Sequence, residues 1–523
     1  MKLVNIMSFN ITGQSMRIFS FPSIRSKHRM KKNIISLIIL SALMLFSSNI
    51  FQANAETSQP IGKFDNAVSH GSVHNVPHID AKNLSLLWVI PFIGILLSIA
   101  LLPLLTPHFW HHHYGKVSLF WWLVFISAFS VKFGIGTGSY YLLEVYFLEF
   151  IPFITLLLAL FTVAGGIQLK GDLAGTPKVN TLMILIGGIL ASFIGTTGAA
   201  MVMIRPILKA NSWRKNRVHI VVFVIFVVAN VGGGLTPLGD PPLFLGFLKG
   251  VDFFWTVKHM LPIVSFVIGI LLVIFFLMDA YYYRKEENKP IKNVDSEKLR
   301  LAGIPNMLLI PFIISAVIIS SIDMGTAFTF HFVTVPLSSI LQVILLLIIT
   351  IISLQVTNPD IRDDNGFSWE PIREVAKLFA TIFMTMVTPI AMLKAGTDGP
   401  MGIVVRGVLD SSGNFINSNF FWAAGILSSF LDNAPTYLVF FNTAGGNPAD
   451  LMGIHAGTLL AISAGAVFMG ANTYIGNAPN FMTKSIAEES GVSMPSFFGY
   501  MFKYSIPILI PVFILVTYIF FKF

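Results

Sequence analysis

Residues 230–242 read NVGGGLTPLGDPP, and they interrupt an apolar run that begins at Val218 and resumes at Leu243. Glycine and proline disfavour a continuous helix, although the flanking sequence is apolar enough for one. The stretch also carries a carboxylate, Asp240. A charged group inside a membrane segment is costly, which makes it a functional candidate. These residues predict a membrane helix that is broken beside an acidic side chain.

The composition is that of a membrane protein. Of the 523 residues, 54% are hydrophobic and 11% are charged, whereas a soluble domain carries about 25% charged residues. Many apolar runs reach the ~20 residues that a helix needs to cross a bilayer. Because these runs are continuous, the alternating pattern of a membrane β-barrel is absent. The sequence predicts an all-α polytopic membrane protein.

Charge and cysteine content exclude several functions. The net charge of +9 comes from Lys and Arg in short loops beside apolar spans, where they set topology and do not indicate a nucleic-acid partner. The chain has no cysteine, which excludes disulfides, thiol catalysis and cysteine-based metal sites. It also shows no nucleophile–base spacing, Walker loop or metalloprotease motif. We therefore expect neither enzymatic activity nor a cofactor.

The N-terminal region has the pattern of a secretory signal. The basic Met30-Lys31-Lys32 precedes the apolar run 34–46, and the small residues of Ala53-Asn54-Ala55 follow. We expect cleavage after Ala55, with an uncleaved signal anchor as the alternative and with translation from Met1 or Met30 left open. Cleavage would place the mature N-terminus outside the cytoplasm. The signal pattern and the many apolar runs together predict a multi-pass protein of the bacterial inner membrane.

The predicted organisation has five parts. They are an upstream extension with the signal peptide (1–55), a periplasmic tail (56–83), a first membrane half with repeat 1 (84–283), a cytoplasmic loop with linking scaffold helices (284–373) and a second membrane half with repeat 2 (374–523). The predicted membrane segments are 84–105, 117–133, 148–169, 181–204, 218–248, 260–283, 304–322, 334–355, 374–394, 418–443, 456–487 and 498–521.

The basic loops indicate that one segment does not cross the membrane. The loops 205–219 and 284–300 are rich in Lys and Arg and should be cytoplasmic, and the loop 170–178 should be cytoplasmic as well. Segment 181–204 would then start and finish on the same side. It is therefore predicted to be a re-entrant hairpin with its tip at residues 195–198, which read GTTG. Such a turn at membrane depth is tolerated where protein or water covers its backbone.

A sequence repeat relates the two halves. GGILASFIGTTGAA (187–200) matches AGILSSFLDNAPTY (424–437) at an offset of 237 residues, and the same offset places GDPPLFL (239–245) on GNAPNFM (476–482). Since the second copy begins from the opposite side, hairpin 418–443 should enter from the periplasm. Inverted repeats that each carry a re-entrant hairpin and a broken helix are typical of secondary transporters with a site near the membrane midplane.

The breaks contain two acidic residues, Asp240 in the first broken helix and Asp432 at the tip of the second hairpin. Their alternative role is to cap the helix that restarts after each break, and Asp240-Pro241-Pro242 fits that role because proline favours the first helical position. Carboxylates with neutral oxygens form a site for a hard cation. The neutral ligand candidates are Thr196, Thr197, Asn230, Thr236, Asn433, Asn472, Thr473 and Asn477.

Basic residues are missing from these breaks. No Lys or Arg lies within 195–204, 230–248, 425–440 or 470–483, whereas a site for a di- or tricarboxylate usually offers basic groups or free amide donors. Two acids with oxygen donors favour a cation that competes with protons, which is the simplest basis for antiport. The expected transported partners are therefore Na⁺ or Li⁺ and H⁺.

Other charged residues are interpreted as structural. Lys132 and Lys394 are placed at span ends, where their ammonium groups reach the interface, and Glu144 and Asp323 are placed in loops. The histidines could suggest zinc, but they lack acids or cysteines at ligand spacing and are interpreted as polar tail or interfacial loop residues. They are His70, His74, His78, His108, His111, His112 and His113.

The motifs GGGLTPLGDPP, LDNAPTYL and GANTYIGNAPN resemble those of an ion-transporter superfamily. It contains NhaD-type sodium:proton antiporters, arsenite pumps and citrate or dicarboxylate carriers, and the resemblance spans roughly residues 84–521. It implies an inverted-repeat scaffold and transport domain, often in a homodimer, that move by an elevator-like displacement. The carboxylate carriers typically have Ser-Asn-Thr at their hairpin tips, whereas these tips read Gly195-Thr196-Thr197 and Asp432-Asn433-Ala434.

Na⁺(Li⁺)/H⁺ antiport is thus the leading hypothesis, with Asp240 and Asp432 as the ion-binding acids. Cation-coupled transport of citrate or a dicarboxylate is the alternative, since half-helix N-termini at 198–204 and 241–248 could hold an anion. Extrusion of arsenite or another neutral oxyacid is a third hypothesis.

Overall fold

The structure, a computed structural model, describes residues 79–171, 173–287 and 300–522. The predicted signal segment, the cleavage position after Ala55 and the histidines His70, His74 and His78 lie outside the described residues. The described chain is mostly helical, which confirms the predicted class of a helical membrane protein. Eight of its helices are long and apolar enough to cross a membrane, and a bent pair adds a ninth.

The first half begins with short 3₁₀ turns and contains nine α-helices and one strand. These are α1 (Ile90–Leu105), α2 (Pro107–Phe133), α3 (Ile135–Val145), α4 (Ile151–Ala164), β1 (Gln168–Lys170), α5 (Pro177–Ile194), α6 (Thr196–Ala210), α7 (Val218–Phe223), α8 (Pro241–Leu248) and α9 (Phe253–Lys285). A π-helical turn, Tyr146–Phe150, joins α3 to α4, and a π turn and a 3₁₀ turn, Val224–Val228 and Val231–Leu235, follow α7.

The second half of the described chain contains thirteen α-helices and three strands. Its elements are β2 (Arg300–Ala302), α10 (Ile304–Ile319), β3 (Thr326–Phe330), β4 (Val333–Pro336), α11 (Leu337–Val356), α12 (Pro359–Asp364), α13 (Glu370–Thr385), α14 (Val387–Lys394), α15 (Gly402–Arg406), α16 (Asn417–Phe430), α17 (Asn433–Thr443), α18 (Pro448–Met452), α19 (Ala456–Met469), α20 (Ala478–Glu489), α21 (Phe497–Tyr500) and α22 (Ile506–Phe520). The bent pair is α13 and α14, at 41°.

Some predicted loops are helices in the structure. His108, His111, His112 and His113 lie in the first turns of α2, and not in a loop as predicted. The helix begins early because Pro107 occupies its first position, where proline fits, and because histidine does not break a helix. Glu144 lies in α3, which makes its loop assignment wrong as well.

Two small antiparallel sheets also depart from an all-α fold. β1 pairs with β2, and β3 pairs with β4 in a hairpin. The exposed Asp323 lies in the predicted loop, just before β3. Lys132 and Lys394 lie in the last turns of α2 and α14, at the helix ends where the sequence places them.

The first broken helix forms the centre of the molecule. Residues 220–229 along it are all buried, with at most 1% of each residue exposed. These residues are apolar on every side of the helix, and such a helix is stable when other helices surround it completely. The break at residues 230–242 is therefore held in protein.

Helices α5 and α6 form a hairpin. The glycine at the tip, Gly195, has φ = 78°, a conformation that favours glycine. At the open end, the Gly175 amide donates to the Ala210 carbonyl at 2.9 Å, and the Asn180 and Asn211 amides hydrogen-bond to each other at 2.8 and 3.0 Å. The two ends of segment 177–210 therefore meet on one face of the molecule.

A buried ion-pair network fixes that open end. The Asp279 carboxylate near the end of α9 pairs with Arg214 and with His219, whose Nε2 lies 2.8 Å away, and it accepts from Asn180 at 2.9 Å. Arg214 and Asp279 have no exposed side-chain surface. Removing one partner of such a pair costs about 3–5 kcal/mol because the other charge stays buried.

Helices α16 and α17 form the second hairpin, because the rings of Phe420 near its start and Phe440 near its end lie 6.4 Å apart. The chain after α17 contacts the start of α9, where Trp255 Nε1 donates to the Met452 carbonyl at 3.0 Å. The first hairpin instead opens beside Asp279, 24 residues further along α9, or about 36 Å at the α-helical rise.

The two hairpins thus open toward opposite ends of α9, and the strand pair β1–β2 places Lys170 and Arg300 together near the first hairpin. We name the side that carries these residues and Arg214 the basic-loop face. The re-entrant position of the hairpins and the inversion of the repeats are defined relative to a membrane, and they stay predictions.

Cysteine labelling tests them directly, because the chain has no cysteine of its own. Lys178 and Lys209 are exposed at the two ends of the first hairpin, and Ser412 and Asp450 are exposed before and after the second. In single-cysteine variants at these positions, we expect a membrane-impermeant maleimide to label Lys178→Cys and Lys209→Cys from the cytoplasmic side. Ser412→Cys and Asp450→Cys should react from the opposite side. Labelling of Lys178→Cys and Lys209→Cys from different sides would show that segment 177–210 crosses the membrane.

A candidate ion-binding site at the two helix breaks

The two breaks have the same local structure. In each, a 3₁₀ turn ends, an extended threonine follows, and a new helix starts five residues later. The threonines are Thr236 (φ −132°) and Thr473 (φ −138°), and the residues before the new helices are Asp240 and Asn477. Both pairs obey the offset of 237 residues found in the sequence.

Glycines allow the backbone to fold back on itself at each break. A Cβ atom on Gly239 would collide with the carbonyl of Gly233, and one on Gly476 would collide with the carbonyl of Gly470. These four glycines are also related by the offset of 237. The close approach of two backbone segments therefore explains why both breaks are rich in glycine.

Hydroxyl groups brace both breaks in equivalent ways. The Thr236 hydroxyl donates to the Ser192 carbonyl and accepts from the Leu238 amide. In the second repeat, the Thr473 hydroxyl donates to the Ser429 carbonyl and accepts from the amides of Ile475 and Gly476. Each threonine thus connects its break to the first helix of the hairpin in the same repeat, α5 or α16. Neither threonine hydroxyl bonds to the Asp240 carboxylate.

The Asp240 carboxylate lies where the four elements meet. It accepts from Thr196 Oγ1 at 3.1 Å, Asn433 Nδ2 at 2.6 Å and Asn477 Nδ2 at 3.3 Å. Thr196 and Asn433 are the first residues of α6 and α17, just after the hairpin tips. Asp240 itself is 1% exposed. Both hairpin tips and both breaks therefore meet at one buried carboxylate.

The capping interpretation fails for one acid and holds for the other. The Asp240 side chain makes no capping hydrogen bond with α8, partly because Pro241 and Pro242 have no N–H to offer. The Asp432 carboxylate caps α17 by accepting from the Ala434 amide at 3.1 Å. Asp432 is half-buried and close enough to interact electrostatically with Asp240.

Two amide oxygens at the second repeat, one of them on a residue that bonds to Asp240, have no hydrogen-bond partner among the described residues. Asn433 Oδ1 and Asn472 Oδ1 are buried, and neither accepts a hydrogen bond from the described residues. The nitrogen atoms of the same amides are engaged, that of Asn433 by Asp240 and that of Asn472 by Ser429 at 2.9 Å. A cation is the partner that free carbonyl oxygens of this kind can bind.

The remaining candidates lie around this centre. Asn230 donates to the Ile225 carbonyl at 2.8 Å and to Asn480 Oδ1 at 2.7 Å, and it accepts from Asn477 at 3.3 Å. Thr197 is half-buried beside Thr196, and its hydroxyl does not bond to the Asp240 carboxylate. Asn230 therefore links the two breaks, while Thr197 does not take part in the hydrogen bonds of the Asp240 carboxylate.

Three polar residues of the site were not among the predicted ligands. Ser192 and Ser429 donate to backbone carbonyls of the facing broken helices, at Gly232 and Met469 respectively. Asn480 donates to the carbonyls of Gly470 and Thr473 at 2.8 and 2.9 Å. The two serines recur at the offset of 237, which is the signal that could have identified them, whereas Asn480 has no such counterpart.

Four helices begin at this site, namely α6, α8, α17 and α20. Their positive N-terminal ends stabilise the Asp240 carboxylate. Few free N–H groups remain, because Pro241, Pro242, Pro435 and Pro479 have none, and the Thr196 and Ala434 amides are bound to Gly239 and Asp432. Among the described residues, neither carboxylate forms an ion pair with Lys or Arg.

The sequence matches the model of a known protein family. A family model described as "Putative citrate transport" matches residues 81–521, which covers the two breaks, the two hairpins and nearly all of the described chain. No curated protein matches the chain.

The equivalent braces predict equivalent effects on stability. Thr236→Val and Thr473→Val should each lower the free energy of unfolding by about 1–3 kcal/mol, because each leaves a buried carbonyl and a buried amide without a partner. The measurement is thermal unfolding of the purified protein in detergent. Thr181→Val is the matched control, since that hydroxyl bonds only to the Pro177 carbonyl within its own helix. A large effect of one brace and none of the other would contradict the equivalence.

Proposed function

Since the chain belongs to the family named for citrate transport and is a membrane transporter, we propose that it exchanges Na⁺ or Li⁺ for H⁺ at Asp240. The observation that carries the proposal is the environment of this carboxylate. It is buried, its side-chain hydrogen-bond donors are neutral, and it forms no ion pair with a basic residue of the described chain.

A buried carboxylate without a basic partner needs a positively charged ligand. A proton or a metal cation can neutralise it, and since both use the same oxygen lone pairs, binding of one excludes the other. Competition for one group is enough to couple the inward movement of H⁺ to the outward movement of Na⁺.

The neutral residues would complete the cation site. Asn433 Oδ1 and Asn472 Oδ1 have no hydrogen-bond partner in the described part of the chain, and the Thr196 hydroxyl already contacts Asp240. Oxygen ligands of this kind suit a hard cation. Asp432 adds a second negative charge near Asp240, which favours cation binding further.

The hairpin tips supply a route to each side of the membrane. Thr196 bonds to the Asp240 carboxylate from the tip of the hairpin that opens toward the basic-loop face. Asn433 bonds to it from the tip of the hairpin that opens toward the opposite end of α9. Each tip therefore covers the carboxylate on one side. Withdrawal of one tip at a time would expose the carboxylate to one side and then to the other. In the predicted membrane orientation, that sequence is alternating access.

Cation-coupled transport of citrate is the second candidate, and the family description favours it. In that case Asp240 would hold the coupling cation, and an anion would bind to the helix N-termini. At the start of α6, the backbone N–H of Thr197 could donate to such an anion. The four prolines at the other helix starts weigh against a polyanion here, because they remove the N–H groups that would bind it.

Everted membrane vesicles with a pH-sensitive dye test the exchange. Addition of Na⁺ or Li⁺ should release the proton gradient in vesicles with the wild-type protein, while Asp240→Asn should reduce the signal to that of vesicles without it. Asp323→Asn, an exposed loop carboxylate, is the control and should behave as wild type. A full Na⁺ response of Asp240→Asn would refute the role of this residue.

The acid at the second tip should modulate the same reaction. Asp432→Asn removes a charge near the site but leaves Asp240 in place, so exchange should persist with weaker Na⁺ binding. We expect the half-saturating Na⁺ concentration to rise about tenfold, which corresponds to a loss of ~1.4 kcal/mol in binding free energy. The same vesicle assay measures it. Parallel uptake of labelled citrate into proteoliposomes separates the two candidate functions, because the antiporter would not accumulate citrate.

A further inference from the structure

A cavity of about 680 Å³ lies away from the helix breaks. Lys249, four residues before the start of α9, is part of its wall. The cavity is therefore at the end of α9 where the second hairpin opens, opposite the basic-loop face. Residues of α3, of the π turn after it and of α14 supply most of the wall, and residues 79–82 form its rim. Its volume suits a small organic ligand.

The cavity carries equal numbers of acidic and basic side chains. They are Asp80, Glu144 and Glu149, and Lys82, Lys249 and Lys394. Asp80 and Lys82 are exposed at the rim, where water solvates their charges. Lys249 and Glu149 form an ion pair with each other. One acid and one base of the wall are therefore left over.

These two residues, Glu144 and Lys394, line the cavity without pairing. They interact electrostatically, but the ion pairs of the described residues include neither of them. The Glu144 carboxylate accepts a single hydrogen bond in the described chain, from the Tyr140 hydroxyl at 3.2 Å. The Lys394 ammonium group has no hydrogen-bond partner in the part of the chain that the structure describes. Both charges therefore keep hydrogen-bonding capacity for a ligand.

The two charges are held apart by their own surroundings. Lys394 lies against the end of the second hairpin, where a Cβ atom on Gly446 would be 3.2 Å from its Cε. Gly446 has φ = 70°, a conformation that favours glycine, and the missing side chain leaves space for the lysine stem. Glu144 is anchored by Tyr140, one turn earlier on α3. A gap between an acid and a base is thus built into the fold.

Two unpaired charges of opposite sign restrict the kind of ligand. An anion alone would pair with Lys394 but leave Glu144 unpaired, and a cation alone would do the reverse. Because a partly buried charge without a partner costs free energy, the ligand that fits best carries both signs. Apolar side chains complete the wall, and they suit an apolar part of the ligand. They include Val145, Phe383, Val387, Ile390 and Ala391.

We propose that this cavity binds a free α-amino acid with an apolar side chain. The ammonium group of the ligand donates to the Glu144 carboxylate, and the carboxylate of the ligand accepts from the Lys394 ammonium group. The site is separate from Asp240, because none of the residues that bond to Asp240 lines the cavity. Lys249 also follows Asp240 by nine positions, or about 13.5 Å at the α-helical rise.

Calorimetric binding to the purified full-length protein tests the site with three ligands, in a buffer without zwitterions. L-Phenylalanine carries both charges, 3-phenylpropionate lacks the ammonium group, and 2-phenylethylamine lacks the carboxylate. We expect the wild type to bind phenylalanine about tenfold or more tightly than either single-charge ligand, because each of these loses one charged hydrogen-bond pair. The measurement needs no ion gradient, so its result is independent of the exchange assay at Asp240.

Each charge has its own diagnostic variant. Glu144→Gln should bind phenylalanine and 3-phenylpropionate equally, because the ammonium group has lost its partner. Lys394→Gln should bind phenylalanine and 2-phenylethylamine equally, because the carboxylate has lost its partner. Lys132→Gln and Asp323→Asn are the matched controls, since both side chains are exposed and lie outside the cavity. They should keep the preference of the wild type.

The inference is overturned if the wild type binds phenylalanine no more tightly than the single-charge ligands, or if Glu144→Gln and Lys394→Gln both keep its preference. Tighter binding of glycerophosphoethanolamine than of phenylalanine would assign the cavity to a lipid headgroup and would overturn the amino-acid assignment. If one variant fails to fold, the wild-type comparison and the other variant decide the question, because each variant removes a different half of the preference.

Discussion

The structure depends on one buried carboxylate that must be satisfied far from water. Asp240 is 1% exposed and accepts from Thr196, Asn433 and Asn477. Because an unsatisfied carboxylate is very costly inside a membrane protein, these donors have to be held in place. The two hairpins and the two broken helices serve that purpose, and the same contacts make them sensitive to whatever binds the carboxylate.

The repeat explains how a short sequence pattern builds this centre twice. Each half uses a glycine pair for close backbone approach, and a threonine and a serine to tie the break to its hairpin. The halves differ where function is proposed. At offset 237, Asp240 corresponds to Asn477 and Thr196 corresponds to Asn433. The one charged residue of these four is therefore surrounded by the three neutral ones. A symmetric frame therefore holds an asymmetric site with a single central carboxylate.

Several assignments could not be made from local sequence because tertiary packing decided them. Asp240-Pro241-Pro242 reads as a helix cap, yet its carboxylate bonds to residues 44, 193 and 237 positions away. Glu144 and His108 look like loop residues beside apolar spans, yet both are helical. His108 is exposed in the first turn of α2, whereas Glu144 is half-buried within the continuous helical stretch Ile135–Ala164 and accepts from the Tyr140 hydroxyl.

The sequence by itself determined the membrane-spanning helical class, the two breaks and the offset of 237 that relates them. These properties are local or periodic, since they follow from apolar run length, from glycine and proline, and from the recurrence of a pattern. The tertiary structure decided which donors meet Asp240, which acid caps its helix and which amide oxygens stay free. Hydrogen-bond partners drawn from four separate elements depend on how those elements pack, and no local pattern specifies that packing.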